Sequence, residues 1–504
     1  MSLFLKGHLR SLRSALPFGK SDTENGNFAR FHDEPSTPTG DVTELKNIQN
    51  GSVTGKQSGY GSSNGDCTYG SKGQAADFQE DYSEEVNPHD KITEWQAGWN
   101  VTNAIQGMFI VTFPYAVLEG GYWVIFTMIF VAYVCCYTGK ILVDCLYDED
   151  PDGNRVRIRD SYVGIAEEVW GARIGGKIVN TAQIIELLMT CILYVLLCGD
   201  LMIGSFPDTP VDLSSWIMIS SMLLLPCAFL RSLRHVSWLS FWCTVAHMFI
   251  NAIILIYCMT RIRTWHWADV NIQIDIWTFP ISLGIVIFSY TSQIFLPTLE
   301  GNMVDRSKFH CMMHWTHVAA AIFKALFSYV GFVTWGMQTK EVITNNLPNY
   351  TMKVIVNLFL VAKALLSYPL PYFAAARLIE TTFFQGKPQT AFPSCFDASG
   401  RLKLWSLVLR LTMVVFTLLM AIFIPHFAIL MGLIGSFTGN MLSLVWPCYF
   451  HLKIKGHVMV WWQKFIDIFI ILFGLLCSIF GIYFSSRALV RAFEGYEPRP
   501  FQGH

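Results

Sequence analysis

The sequence predicts an all-α membrane protein of about eleven transmembrane helices, arranged as two five-helix inverted repeats with the first and sixth helices broken. Three observations lead there. The 504 residues are 52% hydrophobic and only 14% charged, too apolar for an ordinary soluble enzyme of this size. Apolar stretches of span length recur from Trp99 to near the C-terminus. Two of those stretches, the first and the sixth, carry polar and helix-breaking residues at their centres.

Residues 1 to 90 differ from the rest, being rich in Gly, Ser, Asn, Asp, Glu and Gln, and are expected to form a disordered cytosolic tail. Within it, Leu3, Leu5, Leu9, Leu12 and Leu16 alternate with Lys6, Arg10 and Arg13, a pattern open to a short amphipathic helix at a membrane surface or to a flexible terminus. It lacks the continuous apolar core of a secretory signal. A net charge of -1 without a basic domain argues against a nucleic-acid partner. The thirteen cysteines do not form a disulfide framework, because most, such as Cys135, Cys136, Cys191, Cys243 and Cys258, lie inside apolar stretches as small hydrophobes.

The apolar stretches fall near 99–119, 122–146, 177–199, 213–230, 236–260, 278–299, 311–336, 353–376, 405–424, 426–450 and 458–484. Together they define a transmembrane domain over 91–484, followed by a short tail over 485–504. The pair meeting at Pro425 could also be one broken segment. Basic residues sort the short loops. One side carries Arg155, Arg157, Arg159, Arg173, Arg231, Arg234, Arg306, Lys308, Lys387, Arg401, Lys403, Lys453 and Lys455, and the other only Arg261, Arg263 and Lys340. The positive-inside rule then puts the N-terminus in the cytosol and the C-terminus outside or in a lumen. The sequon Asn349-Tyr350-Thr351 falls on the luminal side, where glycosylation occurs.

Glu186 is a carboxylate in the middle of the third apolar stretch. Asn180, Gln183, Glu186, Thr190 and Tyr194 recur every three or four residues and share one helix face. An ionisable group at that depth costs several kcal/mol (roughly 3) unless it faces a cavity or a partner, so it marks either an ion, proton or substrate pathway or a carboxylate satisfied by a neighbouring helix. Lys324 and Lys363 are possible counter-ions, or reach to an interface. His247 with Asn251, and His314 with His317, read as hydrogen-bonded packing histidines. Gly432, Gly435, Ser436 and Gly439 read as a packing face.

In the first stretch, Asn100, Asn103, Gln106 and Gly107 precede Pro114; in the sixth, Ser289, Tyr290, Thr291, Ser292 and Gln293 precede Pro297. Breaks in corresponding helices of two repeats aim half-helix N-termini at an anionic group and free carbonyls for a cation, which suits a zwitterion. The candidate substrate site is therefore Asn103, Gln106, Gly107, Met108 and Phe109 with Ser289, Tyr290, Thr291, Ser292 and Gln293, and Glu186 is the candidate proton-coupling residue. Nothing calls for a cofactor or a metal, and no phosphate loop of the G-x-x-x-x-G-K-[ST] type supports direct ATP-driven pumping.

Seven motifs in order carry a resemblance: WNVTNAIQGMF (99–109), CCYTGKIL (135–142), QIIEL (183–187), FSYTSQIFLP (288–297), LEGNM (299–303), VAKALLSYPLP (361–371) and PHFA (425–428). They closely resemble the vesicular carriers of inhibitory amino acids within the amino acid/auxin permease family, over roughly Lys91 to Ile482. The resemblance implies a LeuT-like fold in the synaptic vesicle membrane. It implies GABA or glycine as substrate, and loading driven by the proton electrochemical gradient that a separate ATPase maintains. It also implies substrate near Asn103 to Phe109 and Ser289 to Gln293, and proton linkage at Glu186. Chloride or sodium coupling stays open. Where the mammalian carriers read Leu-Gly-Leu before the first-helix proline, this chain reads Val111-Thr112-Phe113, so the choice among GABA, glycine and another small amino acid stays open. A plasma-membrane proton- or sodium-coupled neutral amino acid carrier of the same fold is the alternative. A channel or receptor would differ from both in showing no uphill accumulation.

Overall fold

Helix α1 (Glu94–Ile105) begins at Thr93, whose side chain accepts the Gln96 N–H while the Gln96 side chain accepts the Thr93 N–H. This reciprocal cap satisfies donors that the first turn would otherwise leave unpaired. The computed structural model describes residues 91–151, 153–172, 174–226, 234–269, 274–384, 395 and 403–495. The chain divides into two units, residues 1–78 and 79–504; the first contains none of the described residues, so the expected tail and its amphipathic stretch lie outside them.

α1 ends where expected. At Gly107 the backbone leaves helical geometry (φ -37°, ψ 179°), a 3-10 turn spans Met108–Thr112, and the helix resumes as α2 (Phe113–Gly120). Pro114 sits in the first turn of α2, where its missing N–H is harmless. Gly121, at φ 63°, turns the chain into α3 (Tyr122–Asp144), a conformation that favours glycine. A short hairpin of β1 (Tyr147–Glu149) and β2 (Arg155–Arg157), with Asp148 opposite Val156, leads to α4 (Tyr162–Trp170). The sequence reading foresaw neither hairpin nor α4, because the hairpin is polar and α4, at nine residues, is too short to register as a span.

α5 (Gly175–Ser205) is 31 residues long and carries Glu186 near its middle. At 1.5 Å per residue it is about 46 Å long, more than the hydrocarbon core requires. α6 (Leu213–Leu224), capped by Asp212, and α7 (Arg234–Thr260) complete the first half. The sixth stretch is broken as expected: α8 (Phe279–Tyr290) stops at Thr291, whose backbone is extended (φ -67°, ψ 97°), and α9 (Leu296–Gly301) resumes with Pro297 in its first turn. There follow α10 (Phe309–Trp335), 3-10 turns at Gly336–Gln338 and Ile343–Asn346, α11 (Tyr350–Ser367) and α12 (Pro369–Phe383). The pair at Pro425 is two helices, α13 (Leu404–Phe423) and α14 (Phe427–Ile434). α14 continues through two π-helical stretches, Gly435–Gly439 and Met441–Val445, into α15 (Trp446–Lys455). α16 (Trp461–Phe493) runs past the expected end at 484, so the expected C-terminal tail begins as helix.

Among the described residues, eight helical stretches are long and apolar enough to cross a membrane; three shorter apolar helices, Leu213–Leu224, Val245–Thr260 and Phe279–Tyr290, fall at the fourth, fifth and sixth expected stretches. Large apolar side chains such as Phe126, Tyr133, Phe249, Ile256, Ile322, Phe359, Phe465, Leu472 and Ile479 are exposed on the outside. Water would oppose such a surface; hydrocarbon does not. Inside, α5 packs on α11, α12 and α13, α10 on α1, α2 and α3, and α8 on α14 and α16. The approach of α8 to α14 requires glycine. A Cβ on Gly284 would collide with the Gly432 carbonyl, and one on Gly435 with the Gly284 carbonyl. The small-residue face is thus a packing face, as expected.

Candidate functional site

The two breaks meet at one cavity of about 630 Å³. From the first break Asn103, Gly107, Met108 and Phe109 line it, and from the sixth Ser289, Thr291 and Ser292. α5 contributes Glu186, Thr190 and Tyr194, and the junction of α11 and α12 contributes Lys363, Ser367 and Phe373. Three of the expected residues are turned elsewhere. Gln106 Nε2 donates to the Ala320 carbonyl on α10 at 3.4 Å, and Gln293 Nε2 to Thr138 Oγ1 on α3 at 3.2 Å. Tyr290 lies fully buried, its ring 19° from parallel to that of His317. Where the backbone leaves the helix, neighbouring residues point to opposite sides, so a contiguous run cannot all face one space.

Glu186 is buried at 3% exposure. Thr438, in the first π-helical stretch, donates its hydroxyl to Glu186 Oε2, and Thr190 donates to the Glu186 carbonyl at 2.8 Å. Sequence reasoning missed Thr438, since nothing marks one threonine in an apolar helix; a π-helical bulge beside a site is a known device, yet it becomes visible only in the fold. Of the polar stripe on α5, Glu186, Thr190 and Tyr194 line the cavity, whereas Asn180 and Gln183 do not.

The two lysines have separate surroundings. Lys324 Nζ is fully buried and donates to the Ser289 carbonyl and hydroxyl, both at 2.9 Å, with the Tyr290 ring 3.5 Å and the Phe113 ring 5.2 Å from the ammonium. It therefore props the carbonyl freed by the sixth break and is not placed as a partner of Glu186. Lys363 lines the cavity with Glu186 and donates to His247 Nδ1 at 2.7 Å. His317 Nδ1 is 3.0 Å from the Met313 carbonyl, and His314 meets Lys140. The His247 and His317 contacts are buried packing contacts, as expected, whereas His314 is exposed and its reading as a packing histidine is not borne out.

Aromatic rings close one end of the cavity. The Phe109 ring lies 5.1 Å from Tyr194, 5.5 Å from Phe288 and 5.9 Å from Phe427. At the other end the start of α1 is tied to the end of α9: the Ile92 N–H donates to the Asn302 carbonyl at 2.9 Å and the Val304 N–H to the Ile92 carbonyl at 3.0 Å. Arg157 on the hairpin donates to the Pro297 carbonyl at 2.9 Å and pairs with Glu300. A second cavity, about 1190 Å³, lies among the charged loops around Asp148, Arg159 and Lys455 and contains neither helix break. There Asp148 accepts from Lys455 at 2.9 Å and Arg159 at 3.1 Å. Burial raises the Asp148 pKa, but these two cations outweigh it and hold the carboxyl below the usual range.

Residues 90–487 match the family described as transmembrane amino acid transporter protein. A vesicular inhibitory amino acid transporter of Xenopus tropicalis is 56% identical over 407 residues, covering 80% of this chain and 78% of that protein. A vesicular GABA transporter of Caenorhabditis elegans is 47% identical over 401 residues, covering 80% of this chain and 81% of that protein. A solved structure, the inward-facing conformation of Mhp1, aligns with a TM-score of 0.45 at 12% identity over 82% of this chain and 96% of that one. Helices of span length, two broken segments meeting at a cavity, and a family match over residues 90–487 converge: the chain belongs to the transmembrane amino acid transporter family.

Proposed function

We propose that this chain loads GABA, glycine or both into synaptic vesicles in exchange for protons, with the amino acid held between the two helix breaks and the proton carried by Glu186. The observation that carries the reading is the meeting of two broken helices and one buried carboxylate at a single cavity. The names of the relatives, vesicular inhibitory amino acid transporter and vesicular GABA transporter, supply the substrate class.

The chemistry follows from the breaks. Backbone groups released at Gly107 and Thr291 are oriented polar groups that need no side chain, and a zwitterion offers both a carboxylate for N–H donors and an ammonium for carbonyl acceptors. Phe109, Tyr194 and Phe373 supply the apolar wall around the methylene portion. Glu186 exchanges its proton as the cavity alternates between sides, and a proton that favours one access state over the other is what couples the two fluxes. Chloride is a further candidate ion.

Topology completes the reading, with the N-terminus cytosolic and the C-terminus luminal. Asn349, exposed at the start of α11, then lies on the luminal side and carries glycan; Asn349→Gln should remove a mass shift on material matured through the secretory pathway. The decisive experiment is uptake of labelled GABA and glycine into proteoliposomes under an imposed pH gradient and membrane potential. Accumulation above equilibrium that collapses with a protonophore is the expected result. Uptake that only equilibrates would point to a channel, and uptake driven by sodium alone to a plasma-membrane type of carrier.

A further inference from the structure

The segment joining α10 to α11 is packed like a core. Val342, Ile343, Thr344 and Leu347 are buried, and the turn Ile343–Asn346 lies against the Met108–Thr112 turn that walls the cavity. Asn345 donates to the Asp200 carboxylate on α5 at 3.1 Å, and Asn357 donates to Asn345 at 2.9 Å and to the Leu201 carbonyl at 3.2 Å. Connections normally run over a surface, whereas this one is packed against the cavity wall, and we call it the lid. Its link to the aromatic roof is Glu341, whose Oε2 accepts the Ala428 N–H at 3.1 Å at the start of α14. The residue before Ala428 is Phe427, the ring that backs Phe109 over the cavity. One carboxyl group therefore joins lid, helix and roof.

We propose that Glu341 is a positioning residue that lets the lid close only when it holds a proton, so that acid on the lid side licenses return of the emptied carrier. The proposal deepens the function proposed above and rests on its orientation. Closing the lid encloses Glu341 with Asp200 from α5 and with Tyr115 and Glu119 from α2; Lys340 is its neighbour in the lid and His426 precedes α14. Carboxyl groups outnumber the cations there, so an added charge is opposed. Enclosure pushes the Glu341 carboxyl up to about 7, the bond from Ala428 opposes that rise, and Asp200 reinforces it.

The direction of the effect follows by linkage. With the lid open the group returns to water, where its pKa is about 4.3. The closed lid then binds the proton on the order of a hundredfold more tightly than the open lid, and the proton shifts the population toward closure. Below pH about 7 the closed lid holds a neutral acid; above it, closing must bury a charge. In an exchanger this is the step at which a proton taken from the lumen replaces the released amino acid.

The test uses the full chain in proteoliposomes, varying pH only on the lid side while net uptake of labelled GABA or glycine, which needs the emptied carrier to return, is followed. Wild type should turn over faster as that side is acidified from pH 8 to 6. Glu341→Gln, fixed in the neutral form, should flatten this profile, keeping only the dependence that Glu186 and the driving gradient impose. A profile of unchanged shape in Glu341→Gln, merely scaled down, would overturn the proposal. If Glu341→Gln does not reach the membrane, Glu341→Asp should move the midpoint about 0.4 pH unit lower, the difference between the two free carboxyls, and an unmoved midpoint overturns the proposal equally. Hydrogen exchange of residues 340–347 and 426–430 in purified protein needs no substrate. After correction for intrinsic rates, protection should be greater at pH 6 than at pH 8 in wild type and pH-independent in Glu341→Gln. Equal protection at both pH values in wild type would sink the lid mechanism, whereas absence of GABA and glycine transport with this protection pattern intact would refute only the substrate.

Discussion

The two ends of the cavity are closed by different physics. At the roof, Phe109, Tyr194, Phe288 and Phe427 interlock and a packed lid lies behind them. At the floor, the first strand-like residues of the described chain pair with the end of α9, and charged side chains fasten the join: Lys308 to Glu94 at 2.5 Å, and Arg157 to Glu300. Aromatic burial is insensitive to salt, while exposed ion pairs are screened within about 10 Å. Even within the floor the two pairs differ. Lys308 and Glu94 are half-exposed, whereas Glu300 is 1% exposed and also accepts from Tyr147. A transporter that works by alternating access needs both ends to open in turn, and unlike fastenings let the two be tuned separately.

The comparison breaks most completely at Glu186, which belongs to neither end. Glu186→Gln keeps size and the bond from Thr438 but cannot release a proton, so concentrative uptake should fall to background while the protein remains folded and correctly sorted. Normal gradient-driven uptake in proteoliposomes would remove Glu186 from the coupling mechanism.

At the floor, Arg157→Ala should leave Glu300 buried with reduced compensation. Losing one partner of a buried pair costs roughly 3 to 5 kcal/mol, and Tyr147 and Arg306 reduce that figure here. Lys308→Ala should cost far less, because its pair is exposed and screened by solvent. Thermal unfolding of both variants at low and high salt tests the difference, and equal losses would mean that the hairpin does not fasten the floor.

Inside the cavity, Gly107→Val has room against the backbone, the Ala104 carbonyl being 3.4 Å from the added Cβ, so its effect should come from filling the site. We expect KM to rise about tenfold with expression unchanged, corresponding to about 1.4 kcal/mol. The smallest effect is expected at the roof edge. Phe113 lines the cavity and faces Lys324, so Phe113→Leu should change the ratio of GABA to glycine transport by a few-fold, on the order of 1 kcal/mol or less, at the low end for small changes in an apolar pocket. An unchanged ratio would move substrate selection away from α2.

Legibility followed how local each signal was. Glu186 stood out because a carboxylate inside an apolar run is conspicuous in any fold, and the α8 break was announced by Ser289 to Gln293 and Pro297. Gly107 and Pro114 likewise announced the first break. Thr438 was silent, since it reaches Glu186 from 252 positions away and a threonine in an apolar helix is unremarkable. Glu341 was also silent. It stands in a polar connection between spans and reads as an ordinary surface residue until the lid is seen to be buried.

By itself the sequence determined which segments are apolar helices and where two of them must break, because both properties depend on residues within a turn or two of each other. Hydrocarbon forbids unsatisfied backbone, so each apolar run becomes a helix, and glycine, proline and polar clusters end one wherever they occur. Tertiary structure decided which polar groups share a space. Lys324 went to the Ser289 carbonyl, Lys363 to His247, Gln106 and Gln293 to neighbouring helices, and Glu186 to Thr438. A side chain's direction at a broken helix no longer follows the 3.6-residue period, and its partner comes from a helix far away in sequence, so those pairings exist only once the bundle has packed.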